Sequence, residues 1–339
     1  HHRNIRALEG VWKYVFVSAI GITLVYLGIL FLSIALKPSG SQDLRFDNLY
    51  ILSDKLNTFW LKLAFIFIFT GFTVKMGLVP LYTVGIDAKD KAPAPAGAIF
   101  ASVLMNTGFI AIYRFYALVS KTPVKHWADS IIIFSAFLSL FIAAVYMTRI
   151  KNIKRMFAYS GIEHMGIIMI GLVSGGIGIY AAILHILLHS LIKPSLFFQY
   201  NQIYWVFQSK SIYDVGNYIK YNKTGAVALF TGFIFITAIP PSGLFISELL
   251  IFKSLFLNHM FLILFFMLIT ITIIIWGLGS NVFKIMFSTS VSVEEKKIPQ
   301  IKWWESLSQF ILPAITVYIA YFQPEFIVRL FNEAILILK

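Results

Sequence analysis

Nine stretches of near-continuous apolar sequence run through this chain, at residues 10–36, 58–83, 95–119, 127–149, 153–173, 177–206, 224–255, 258–287 and 305–322. Each is long enough to cross a hydrocarbon core of roughly 30 Å, so the pattern predicts an all-α, polytopic membrane protein with about nine transmembrane helices. An odd number of spans places the two termini on opposite sides. The polar stretch at 37–57 reads as an outer loop. Lys151, Lys154 and Arg155 in one connection, and Lys296, Lys297 and Lys302 in another, supply most of the positive bias that marks cytoplasmic loops. The segment VSVEEKKIPQIK sets the last span apart from the rest. YTVGIDAKDKAPAPAGA, with its alternating charges and Ala-Pro steps, reads as a cytoplasmic loop feeding the next span.

Two spans carry breaks in their middles. In FTGFTVKMGLVPLYT, Lys75 is followed by Gly77 and Pro80; in FITAIPPSGLFISELL, Pro240, Pro241 and Gly243 precede Glu248. A proline inside a helix removes one hydrogen bond and clashes with the carbonyl four residues back. Inside a bilayer that is tolerated only where protein or a hydrated cavity satisfies the freed groups. Paired broken helices are the mark of inverted-repeat transporters, whose ion sites lie at such breaks near the midplane. Breaks are therefore expected near 76–80 and 239–243, one beside a cation and the other beside an anion.

The run GIGIYAAILHILLHSLIKPSLFF holds His185, His189 and Lys193 at four-residue spacing, which puts all three on one face of a helix. An ionisable group at a bilayer centre costs at least roughly 2.5–3.5 kcal/mol on insertion scales, so three in register point to a proton or ion path. These side chains are expected to face the protein interior, with Lys193 between Lys75 and Glu248. The alternatives for the histidines are a metal site or packed polar contacts between helices. No third ligand of HExxH type accompanies them, and Lys193 would repel a cation. Lys75 either titrates in an apolar setting or snorkels to a membrane surface. Glu248 either carries a proton or pairs structurally with a lysine such as Lys253, for which the spacing is poor helical register. Glu163, His164 and Asn106 are further path candidates. Adjacent helical residues diverge by about 100°, so at most one of Glu163 and His164 is expected to face a path.

Composition narrows the function further. The chain is 59% hydrophobic and only 13% charged, which excludes an ordinary soluble domain. A net charge of +13 would suggest nucleic acid, but the basic residues lie between hydrophobic runs, as membrane topology requires. The absence of cysteine excludes disulfides, thiolate-held iron–sulfur clusters and cysteine zinc sites. No nucleotide loop, nucleophile elbow or paired acidic metal motif is present, so no catalytic, cofactor-binding or metal-ligating residues are expected.

With those residues in view, the sequence resembles the proton-pumping, antiporter-like membrane subunits shared by respiratory complex I, Mrp antiporters and membrane-bound hydrogenases, in particular the F-type membrane components of hydrogenase-4 and formate hydrogenlyase complexes. The stretches that carry the likeness are ALEGVWKY (7–14), GFTVKMGLVPLYT (71–83), APAPAGAIFASVLMNTGFIAIYRF (92–115), IKRMFAYSGIEHMGI (153–167), LHILLHSLIKPSLFF (184–198) and AIPPSGLFISE (238–248). The resemblance implies a fourteen-helix fold of two inverted repeats, of which these spans correspond to the sixth through fourteenth, the first five being absent. It implies three parts: 1–120 as the remainder of the first half, 121–290 as the second half, and 291–339 as a charged loop and C-terminal helix. By the same likeness Lys75 matches the lysine of the first broken helix and Glu248 the acid of the second. His185, His189 and Lys193 match the helix that joins the half-channels. The family's PLHTWLPDAH is here PLYTVGIDAK, with Tyr82 and Lys89 in place of two histidines, which implies an altered cytoplasmic entrance.

The function implied is proton or sodium translocation by a multi-pass subunit of the cell inner membrane, itself non-catalytic, within an oxidoreductase assembly. Its partners would be the other membrane and peripheral subunits of a hydrogenase or complex I-like complex. The competing readings are an Mrp-type cation/proton antiporter subunit and a structural anchor that has lost pumping.

Overall fold

The structure, a computed structural model, describes residues 5–289 and 301–338. Among these the chain is helical, and a lone bridge between Asn152 and Ser211 is its only extended pairing. The helices are α1 (Ile5–Leu36), α2 (Phe46–Ile51), α3 (Thr58–Met76), α4 (Thr83–Lys91), α5 (Ala94–Ala101), α6 (Val103–Ser120), α7 (Lys125–Arg149), α8 (Ile153–Val173), α9 (Ile177–Phe207), α10 (Tyr218–Tyr221), α11 (Lys223–Ile236), α12 (Gly243–Leu257), α13 (Phe261–Phe287), α14 (Leu307–Val317) and α15 (Glu325–Leu336).

Seven stretches among the described residues are long and apolar enough to cross a membrane: α1, α3, α5 with α6, α7, α8, α9 and α13. An eighth is the pair Trp303–Phe322 and Glu325–Leu336, bent by 73°. The window at 224–255 is not one helix but two, α11 of 14 residues and α12 of 15. At 1.5 Å per residue neither crosses roughly 30 Å alone. YTVGIDAKDK, expected as loop, forms α4, because Tyr82, Ile86 and Lys89 make an inward stripe at helical spacing that the alternating charges conceal. His1, His2 and most of the charged connection at 291–302 lie outside the described residues.

Both breaks fall where the Gly and Pro clusters place them. At the first, α3 ends at Gly77 in the left-handed region, φ 84°, and the N–H groups of Gly77 and Leu78 both donate to the Thr73 carbonyl. The backbone freed beyond it is capped by α7. Ser139 Oγ accepts from Val79 N at 3.0 Å, and the Ser135 hydroxyl donates to the Val79 carbonyl. At the second, Ser242 N-caps α12 by accepting from Leu244 N and donates to the Phe235 carbonyl at 2.7 Å. Buried serines thus supply the hydrogen bonds that a non-helical segment within apolar surroundings requires.

α1 and α3 approach until their backbones touch. A Cβ on Gly71 would lie 2.5 Å from the Gly21 carbonyl oxygen, and one on Gly28 would lie 2.9 Å from that of Ala64. Small residues at such contacts are how helices pack in lipid, where dispersion must replace the hydrophobic effect.

The apolar side chains divide into two clusters, and the division passes through the middles of five helices, α7, α8, α9, α12 and α13. On α8, Ile153–Ile162 belong to one cluster and Met165–Leu172 to the other. On α12, Leu244 and Ile251 are similarly split. Between them lie Glu163, His164, Ser247 and Glu248. The seam is a polar layer inside the protein. α8 is the most enclosed span, 94% buried over its apolar window, so every one of its faces meets protein.

Candidate functional site

The seam is assembled by α8, α9 and α12. His185, His189 and Lys193 are all fully buried on α9. Lys193 Nζ donates to the Phe157 carbonyl at 2.7 Å and to Ser160 Oγ at 2.6 Å, both on α8. Pro194, directly after it, offers no N–H to the Ser190 carbonyl, yet α9 continues through it. His164 stands over His189 with ring centroids 5.0 Å apart. His164 Nδ1 and His185 Nε2 share a hydrogen bond at 3.0 Å, and His185 Nδ1 lies 2.9 Å from Ser247 Oγ.

The direction of these bonds follows from the serine. Ser247 Oγ donates its one proton to the Leu244 carbonyl at 2.9 Å, so it must accept from His185 Nδ1. A neutral His185 then accepts at Nε2, and His164 Nδ1 is the donor. The result is a directed chain from α8 through α9 to α12. Glu248 completes it, since one ligand-type atom from each of His164, His185 and Glu248 lies within 4.8 Å of the others. That separation would admit a metal ion. The hydrogen bond between the two rings already engages two of the nitrogens, and the cationic Lys193 is close enough for its charge to act on His164.

Glu163 and His164 both border the layer, against the expectation that only one would. Glu163 is close enough to Glu248 and Lys193 to feel both charges. The reason is the enclosure of α8, which leaves no solvent or lipid side for either residue to occupy. Glu248 is buried and makes no ion pair among the described residues, with Lys253 or otherwise. Asn106 on α6 accepts from Ser190 Oγ at 2.9 Å and so ties α6 to the polar face of α9.

Lys75 stands apart from this group. It is half-buried in the last turn of α3 and turned towards α1, with Nζ 3.2 Å from Tyr14 Oη, 3.4 Å from Ser18 Oγ and 5.0 Å above the Tyr14 ring. It makes no ion pair among the described residues. α6, which carries Asn106, packs against the end of α3 at Gly108, where a Cβ would lie 2.5 Å from Met76 N. The order across the molecule is therefore Lys75, Asn106 with Ser190, the α8–α9 cluster, and Glu248.

One residue reads in the sequence only as the replacement for a family histidine, not as a buried group. Lys89 on α4 is 4% exposed, and among the described residues its Nζ has the Met105 sulfur, at 3.2 Å, as its one hydrogen-bond partner. A Cβ on Gly161 would contact both Met105 Sδ, at 3.6 Å, and Lys193 Cε, at 3.7 Å, so Met105 lies between the two lysines. The neighbouring Asp90 turns the other way, towards Lys91 at 3.0 Å, Lys210 at 3.5 Å and Arg155 at 3.7 Å. Burial pushes the Asp90 carboxyl up, but Lys210, Lys91 and Asn152 outweigh it, and the net effect is to hold it below its ordinary value. Arg155 also binds Asp87. Together with Lys151 and Lys154 these groups make a basic face at one end of the bundle.

Lys89 lies between the spans, and burial pulls its ammonium from 10.5 down to about 8. A buried cation kept at such a cost is a functional candidate. Below pH 8 it is charged in the folded and unfolded chain alike, and the folded state carries the whole cost, roughly 3 kcal/mol. Between pH 8 and 10.5 the unfolded chain binds more protons, so stability rises with pH. Lys89→Met is accordingly expected to raise the melting temperature of the assembled protein at pH 7, with the gap to wild type closing above pH 8. Paired melting curves from pH 6 to 10 check this; a gap that stays constant would mean that the ammonium is solvated.

Spans broken at two glycine–proline motifs around a buried file of lysine, histidine and glutamate define a multi-pass, antiporter-like membrane subunit. The chain belongs to the NADH:quinone oxidoreductase/Mrp antiporter transmembrane family, whose profile matches residues 1–274. It is 32% identical over 259 residues to a hydrogenase-4 component F homolog of Methylacidiphilum infernorum (isolate V4), covering 75% of this chain and 54% of that one. It is 29% identical over 276 residues to NADH-quinone oxidoreductase subunit N 2 of Aquifex aeolicus (strain VF5), covering 80% and 54%. The chain thus spans about half the length of these relatives. Among solved structures, a chain of the Mrp complex from Dietzia sp. DQ12-45-1b superposes with a TM-score of 0.85 at 14% identity, over 99% of this chain and 69% of that one. That likeness shows a shared fold.

Proposed function

We propose that this chain is a proton-translocating subunit of an energy-converting redox complex in the cell inner membrane, working beside membrane and peripheral subunits that hold the redox centres. The observation that carries the reading is the hydrogen-bonded series from His164 through His185 to Ser247, flanked by Lys193 and Glu248 and sealed between two apolar clusters. Imidazoles and amines exchange protons, whereas sodium requires a shell of oxygen ligands. Nitrogen predominates here, which favours the proton. Lys75 and Asn106 extend the path on one side, and Glu163 adjusts the charge balance beside Lys193. The path would join the remainder of the first half, 1–120, to the second, 121–290.

The test is proton uptake by vesicles containing the assembled complex, compared at equal complex content. Glu248→Gln keeps the shape of the side chain but cannot exchange a proton, and is expected to lower uptake by on the order of tenfold. Uptake equal to wild type would leave the chain as a structural anchor.

A further inference from the structure

Lys89 is buried beside a sulfur, and its own helix is too short to keep it there. α4 has nine residues and no side-chain cap at its start, and a helix of that length has little stability of its own in water. Lys89 also sits in the last turn, next to the basic face. A lysine in that place ordinarily snorkels, laying its stem along apolar surface and its ammonium in water. Contacts beyond α4 must therefore set the rotation of the helix about its axis.

The next residue makes them. On a helix Asp90 points about 100° away from Lys89. It is buried, and its carboxylate accepts from Asn152 Nδ2 at 3.1 Å besides pairing with Lys91, Lys210 and Arg155. Lys210 grips it twice, since Nζ also donates to the Asp90 carbonyl at 2.8 Å. Apart from Lys91, these partners belong to other elements: Asn152 caps α8, Arg155 lies in its first turn, and Lys210 follows α9. The two segments are themselves joined. Ile153 N donates to the Lys210 carbonyl at 3.0 Å, and Ile212 N to the Lys151 carbonyl at 2.9 Å. Just beyond the helix, the buried Lys154 donates to the Ala92 carbonyl. The end of α4 is thus tied to a frame built by α8 and the segment after α9.

We infer that Asp90 is the positioning residue for Lys89: its contacts with Lys210, Arg155 and Asn152 latch α4 in the rotation that keeps the Lys89 ammonium inside, beside Met105. The two neighbours are coupled by geometry. Lys89 is enclosed on its own face, so it reaches water only if α4 turns or lets go, and either movement pulls Asp90 from its partners. The latch requires an acid. An amide of the same shape loses every ion pair while the cations around it stay behind. Asp87 shares Arg155 but is more exposed, and exposed pairs contribute little. That a latched Lys89 serves translocation rests on the proton-translocation reading; the latch itself does not.

The test uses the assembled complex in vesicles with the basic face outward. The membrane-impermeant sulfo-N-hydroxysuccinimide acetate acylates accessible amines, and each labelled lysine is read by peptide mass. In wild type the exposed Lys151 is expected to react while Lys89 stays silent. In Asp90→Asn, Lys89 is expected to label at least about tenfold faster than in wild type, because the rate follows the population of the opened helix, with Lys193 still silent. Lys210→Gln removes the double grip without altering α4; it should act in the same direction, and it carries the test if Asp90→Asn does not assemble. The gain in melting temperature expected of Lys89→Met at pH 7 should vanish in the Asp90→Asn background, where the lysine is already solvated. An aspartate with a merely structural role would leave that gain unchanged. Lys89 labelling no faster than in wild type overturns the inference, since α4 then holds its rotation unaided. Lys89 and Lys193 labelling together also overturns it, since the ion pairs then hold the whole bundle. Proton uptake should fall in Asp90→Asn; a released Lys89 with unchanged uptake, while Glu248→Gln abolishes it, removes the positioning role. If Glu248→Gln itself leaves uptake intact, the translocation reading fails, and the labelling and melting results still decide whether the latch exists.

Discussion

Lys193→Met is expected to abolish proton uptake by the assembled complex while leaving the complex assembled. Lys193 is the most enclosed cation among the described residues, with no exposed surface and, among them, only the neutral Phe157 carbonyl and Ser160 Oγ as hydrogen-bond partners. Methionine matches its length and packs without a cavity, and Ser160 Oγ still donates to the Phe157 carbonyl at 3.2 Å, so the expected cost to folding is only the loss of the lysine's own hydrogen bonds. Removal of a buried charge offsets that cost. What vanishes is the one group that can hold a proton between Lys89 on one side and the histidines on the other. An arginine in its place would keep the charge but not release it, because guanidinium stays protonated. Lys193→Arg should therefore be as inactive as Lys193→Met. If the arginine variant pumps normally, Lys193 supplies a fixed field rather than a carried proton.

Lys75→Ala is the second large effect: uptake is expected to fall strongly, with complex content near that of wild type. Lys75 is half-buried and bonded only to hydroxyls, so its removal leaves no stranded countercharge among the described residues and little cavity. A silent lysine is what a structural anchor would show. The measurement is initial uptake in vesicles at matched complex content, and Lys75→Ala indistinguishable from wild type would remove Lys75 from the path.

The sequence made the broken spans legible because glycine and proline act locally: Gly77 and the Pro240–Pro241 pair impose their geometry whatever surrounds them. The inward face of α9 was equally plain, since three titratable groups at four-residue spacing in an apolar run must share one side of a helix and shun lipid. Lys89 was legible as a changed residue at the entrance, but its burial was not. Its neighbours Asp87, Asp90 and Lys91 gave the stretch the look of a solvated loop, and only tertiary packing shows which of four charges points inward. The division of 224–255 into two helices was half visible, in the prolines, but the short length of each piece was not.

The close seam between α1 and α3 bears on how Lys75 can work at all. With Gly21 against Gly71 and Gly28 against the Ala64 carbonyl, the two helices mesh at points two turns apart and have little slack for one to slide past the other. They form a single stiff strut. Tyr14 and Ser18 ride on one member and Lys75 on the other, so their spacing is fixed by the backbone and not by the state of the site. On the proposed reading of Lys75, movement at this end would be a swing of the lysine's own flexible arm, a motion of nanoseconds, and not the slower rearrangement of whole helices.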